Sequence, residues 1–129
     1  MANVTWQFQV AVPDGPSFTI NQPSIQLAAY DVVSVSIPAS TNAFNVPVQP
    51  SSTAGDVILM IINSSTYDPG ISYSVDAVGV KHILDGPHTL IGAGAVSLLN
   101  SAAPPQKLIF DNTLTQEITI DILAGRKVP

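Results

Sequence analysis

Short stretches in which apolar and polar residues alternate, each closed by a proline- or glycine-bearing turn, recur along this chain and point to an extended, sheet-forming architecture. Successive side chains of a strand point to opposite faces, so period two buries one face and wets the other. Trp6, Phe8, Val10 and Val12 fall on one face while Thr5, Gln7 and Gln9 fall on the other. This pattern predicts a half-buried strand whose apolar face enters the core. Pro13-Asp14-Gly15-Pro16 supplies the following turn, after which Ser17 to Ile20 is extended again. Ile25 to Ala28 makes a short run, and Val33, Val35 and Ile37 alternate with Ser34 and Ser36 until Pro38. Pro47 cannot donate to a central ladder, so Ala39 to Gln49 is expected at an edge or in an extended loop.

After a turn at Pro50 to Gly55, Val57 to Ile62 is continuously apolar and rich in β-branched residues, as in a strand buried on both sides. Ile71, Tyr73, Val75 and Ala77 alternate with Ser72, Ser74 and Asp76, and a short helix fits Ala95 to Asn100. Leu108 to Phe110 is followed by an expected turn through Asp111-Asn112-Thr113, and Ile118, Ile120 and Ile122 share the inner face of a last strand. No stretch has helical period over several turns. The spacing predicts an all-β, single-domain antiparallel β-sandwich or jelly roll of about eight strands. It spans residues 1–125, with 126–129 as a short tail in which Arg126 and Lys127 can anchor to an acidic neighbour.

Composition narrows the function classes. Charged residues are 10% of the chain, against about 25% in an ordinary soluble domain. The formal net charge is −5, and the first basic residue is Lys81. Four Lys and Arg in total make a poor cradle for a phosphate backbone, which argues against nucleic acid as a partner. Val57 to Ile62 is far shorter than the roughly twenty residues of a membrane-spanning helix. Met1 leads directly into the alternating segment, so no secretory leader is expected, and a virion or a cytoplasmic assembly is the favoured location. The chain has no Cys.

No catalytic constellation is legible. Serine is abundant but occurs in no nucleophile elbow, and Gly92-Ala93-Gly94 lacks the lysine and remaining glycine of a phosphate loop. His82 and His88, with Asp76 and Asp85 near them in sequence, match no metal-ligand spacing and are expected to be loop histidines with local hydrogen bonds. Asp14, Asp68, Asp85 and Asp111 read as turn formers. Neither a cofactor nor a metal is expected. Sugars are held by stacking on exposed aromatic rings, and Tyr30, Tyr67 and Tyr73 are the rings expected at the surface. Tyr67 and Asp68 on a turn, with Tyr73, are therefore the candidate ligand-binding residues, and a small carbohydrate-binding module is the alternative reading.

The favoured reading comes from the surface. Wet strand faces carry Ser, Thr, Asn and Gln in place of Lys and Glu, and protein interfaces are likewise depleted of charge. A non-enzymatic structural protein is expected, a homo-oligomer or a subunit covering a larger protein shell. Cement and decoration subunits of viral and phage capsids share this appearance: compact, all-β, cysteine-poor and punctuated by proline.

Overall fold

A computed structural model of the chain describes residues 2–21, 24–48, 56–76, 79–101 and 103–127. The expected turn at Pro50 to Gly55 lies outside the described residues, as do Ala77 and, from the expected tail, Val128 and Pro129. The chain opens with β1 (Ala2–Val4), β2 (Gln7–Ala11), β3 (Ser17–Asn21), a long β4 (Ile25–Ile37) and β5 (Thr41–Pro47). There follow β6 (Val57–Ser64), β7 (Ile71–Val75), β8 (His82–Ile83) and β9 (His88–Ile91). A one-turn helix α1 (Ala93–Val96), β10 (Lys107–Asn112) and β11 (Ile118–Lys127) complete it.

The protein is all-β, and every strand pair among the described residues is antiparallel. A five-stranded sheet, in the order β1-β4-β11-β6-β9, curls into a half-barrel. A four-stranded sheet has the order β5-β10-β7-β8, and β2 with β3 forms a separate two-stranded ribbon. Pro47 lies on β5, at the edge of its sheet, where its missing N–H removes no ladder bond.

Alternation explains the core. Ile118, Ile120, Ile122 and Ala124 of β11 are buried, and they join Ile37, Ile62, Ile71, Tyr73, Leu108 and Phe110 in one cluster drawn from both sheets. Each such buried aliphatic side chain contributes about 1.5–3 kcal/mol relative to exposure. On β6, Leu59 and Met60 are both buried although they are adjacent in sequence. The ladder with β11 pairs them in register with Gly125 and Ala124, so they point to opposite faces: Met60 joins the core cluster and Leu59 is covered on the other face, as a strand buried on both sides requires. Gly125 makes room for Leu27, since a Cβ there would lie 2.6 Å from the Leu27 Cδ1.

Three expectations are corrected. Ile25 to Ile37 is one unbroken strand, because β11 pairs with it from Leu27 to Ile37 and carries the chain past the irregular Ala28 to Asp31. Arg126 and Lys127 are strand residues of β11 and not a tail, while the expected anchor to an acidic neighbour is there as the ion pair of Arg126 with Asp31 of β4. Asp111 sits in β10, where its carboxylate pairs with Lys81 and accepts a 2.8 Å hydrogen bond from the Ala43 N–H. Ala43 has φ +55°, a conformation costly for a residue with a Cβ, and the Asp111 bond holds it there. Lys81 and the Ala43 amide keep the Asp111 carboxyl below the usual carboxylate range. The buried Asn112 is satisfied too: its amide donates to the Pro38 and Gln116 carbonyls, and its Oδ1 accepts from the Leu114 N–H.

The fit at Gly125 generates a test. Gly125→Ala must displace the fully buried Leu27, and overpacking of this kind costs about 1–3 kcal/mol. A urea midpoint lowered accordingly is expected; an unchanged midpoint would show that Leu27 has room to move.

Candidate functional site

Tyr67, Asp68 and Tyr73 do not converge on one surface. Tyr67 is exposed at the β6–β7 connection, where its hydroxyl accepts a hydrogen bond from the Ser64 N–H. Asp68 Oδ1 accepts from the Gly70 N–H at 2.7 Å, the local bond by which an aspartate shapes a turn. Tyr73 is 0% exposed, against the expectation of a surface ring. A ring without exposed surface presents no face to a sugar from solvent. Tyr30 does stand at the surface, on the outer side of β4.

Burial instead places Tyr73 at the centre of a small polar cluster. Its ring lies 5.4 Å from Phe110, 5.3 Å from His82 and 5.5 Å from His88. His82 and His88 are strand residues of β8 and β9, a correction to the expected loops. His82 is the register partner of Tyr73 across β7 and β8. His88 belongs to the other sheet, and its Nδ1 lies 2.6 Å from the Tyr73 hydroxyl. Burial keeps the phenol neutral, and in the imidazole tautomer with an unprotonated Nδ1 the phenol donates this bond and His88 accepts it. One side-chain hydrogen bond thus ties the two sheets where the chain crosses between them. Its partners are fifteen residues apart in sequence, so alternation within either segment carried no sign of it.

Electrostatics favour the neutral His88. Burial lowers its pKa first and the neighbouring His82 adds to this, while the Ile83 backbone and Asp85 act in the opposite sense. No group of three or more His, Asp or Glu side chains among the described residues is arranged to hold a metal ion. A shallow groove of about 300 Å³ runs beside α1, lined by Asp56, Val57, Val96, Ser97 and Pro104 among others. Asp56 is the one ionisable side chain among its described lining residues, which therefore offer no acid–base pair.

The most unusual surface is the ribbon. Phe8, Val10 and Val12 were expected in the core, yet Phe8 is 48% and Val10 43% exposed, and Phe18 is 63% exposed. Register pairs Phe8 with Ile20 and Val10 with Phe18, so these four form one apolar face; Gln7, Gln9, Ser17 and Thr19 form the other. The error has a physical cause: period two shows that a strand has an apolar face, while what covers that face is decided by tertiary structure. At the tip, the Gly15 N–H donates to the Val12 carbonyl and Asp14 has φ +58°, as its turn role requires.

Comparison with protein-family models, curated proteins and solved structures found no match.

The Tyr73–His88 tie makes stability depend on pH. The folded-state pKa of His88 is lowered, so its contribution is complete above the ordinary histidine value, about 6.5, and is lost as pH falls below it through the lowered folded value. Melting temperature should fall between about pH 7.5 and about pH 5. His88→Gln keeps an acceptor for Tyr73 and removes the titration, so its decline should be the shallower; parallel curves for the two proteins would dismiss His88 as the cause.

Proposed function

We propose that this chain is a non-enzymatic structural subunit that assembles with further copies of itself, alone or as a cover on a larger protein shell such as a virion. The observation that carries the reading is the β2–β3 ribbon, with Phe8, Val10 and Phe18 exposed on one face. A two-stranded ribbon is marginal in water by itself and gains stability when its apolar face is covered. Phe8 and Phe18 alone offer aromatic area of the kind that dominates interface energetics. Tyr30 and Val32, exposed on the outer face of β4, add an apolar area on the larger sheet. The low charge content fits the same purpose, since surfaces of Ser, Thr, Asn and Gln are dehydrated at lower cost than charged ones. We further propose that the half-barrel and the smaller sheet face one another as a sandwich of the jelly-roll kind, a shape common in shell subunits.

Sedimentation of the chain at micromolar concentration tests the reading. A species heavier than the 13.5 kDa monomer is expected, and the doubly substituted Phe8→Ser/Phe18→Ser protein should return to a folded monomer whose melting temperature falls only by what the lost association contributed. A wild-type chain that sediments as a clean monomer would overturn the proposal.

A further inference from the structure

We infer that the unpaired edge of β4 receives the β2–β3 ribbon of a second copy of this chain, an inference that rests on the assembly reading and specifies its contact. Strand β4 pairs with β11 along most of its length, but on its other side β1 covers only Ile25 to Leu27. From Ala28 to Ser36 no strand pairs with that second side among the described residues. Half of the backbone N–H and C=O groups there face outward, a ready template for another strand. Proteins ordinarily blunt such an edge with proline, lysine, a bulge or an inward-pointing charge. Ala28 to Ser36 contains no proline and no lysine; its register shift lies at Ala28 and its one inward charge, Asp31, is paired with Arg126, so Val32 to Ser36 carries no such device.

The side chains report the same vacancy in the sheet. Val33 and Val35 point to the core yet remain only partly buried, whereas Ile120 and Ile122 on the adjoining β11 are 0% and 1% exposed. Cover on the inner face therefore thins toward the open edge. A strand added there would extend the inner face with apolar residues and, alongside Ser34 and Ser36, the outer face with polar ones, while beside Tyr30 and Val32 the outer face is itself apolar. The ribbon has that composition, with Phe8, Val10, Phe18 and Ile20 on one side and Gln7, Gln9 and Thr19 on the other.

Its own ribbon is badly placed to fill the gap. The ladder of β1 on β4 ends at Val4 opposite Ile25, and the ribbon resumes beyond it with Gln7 opposite Asn21. It therefore extends away from the Ala28 to Ser36 edge, and strands of 5 residues carry it about 17 Å. A second copy has no such constraint. Charge does not oppose the contact, because the one charge on the ribbon is Asp14 at its tip and Asp31 is already paired. Each copy gives a ribbon and receives one, so the contact closes as a two-fold pair or propagates from copy to copy.

The chain has no Cys, which makes introduced pairs unambiguous. A tagged Ser34→Cys chain is co-expressed with an untagged chain carrying Gln9→Cys or Thr19→Cys, and the product is oxidised; a disulfide forms only where Cα atoms come within about 7 Å. The expected major product is the mixed, tagged-to-untagged disulfide with one of the two ribbon variants, lost when Phe8→Ser/Phe18→Ser is added to the ribbon chain. Products linking only Ser34→Cys to itself would mean that two β4 edges meet, and products linking only ribbon to ribbon that the arms pack together; either overturns the inference. An oligomer that yields no mixed disulfide overturns this contact and leaves the assembly reading intact, while a chain that sediments as a monomer overturns both.

Discussion

The antiparallel pairing of β11 with both β4 and β6 is the contact on which the rest of the molecule depends. A buried backbone amide or carbonyl without a partner costs about as much as a lost hydrogen bond, so the inner strand of a sheet must be satisfied on both sides. β11 is satisfied in this way over most of its length, and Ile118, Ile120, Ile122 and Ala124 carry its inner face into the core. Tyr73, Leu108 and Phe110 of the smaller sheet belong to the same buried cluster. Arg126, paired with Asp31, joins the last turns of the same ladder.

What β11 does for itself it does for only one side of β4. Among the described residues the other side is open from Ala28 to Ser36, and Val33 and Val35 are left half-covered. The ribbon is incomplete in the converse sense: it has an apolar face and no sheet to lie on. An uncovered apolar face and an unpaired strand edge are each unfavourable in water, and the same association removes both. That economy joins the fold to the proposed function. The Tyr73–His88 bond is a separate tie between the sheets, and its dependence on a neutral imidazole makes it the part of the structure most responsive to mild acid.

Much of this fold was legible in the sequence because strand patterning is local. Ile118, Ile120 and Ile122 showed their inner face by alternation, and Pro47 marked an edge strand by its missing donor. Elements set by distant partners were not legible. Ala28 to Asp31 has no alternation, and only the β11 ladder makes it strand. Asp111 looked like a turn residue because its partners, Lys81 and the Ala43 amide, are remote in sequence. Of the candidate site, the position of Asp68 on a turn was readable, whereas the burial of Tyr73 depended on Phe110, His82 and His88 closing around it.

Amide hydrogen exchange along β4 at low and high protein concentration tests the central claim most directly. Amides between Ala28 and Ser36 that face away from β11 should exchange freely in dilute protein and slow by about tenfold or more once copies associate. Those facing β11 should be protected at both concentrations. Equal exchange of the outward-facing amides at every concentration would contradict the claim that this edge is completed by another copy of the chain.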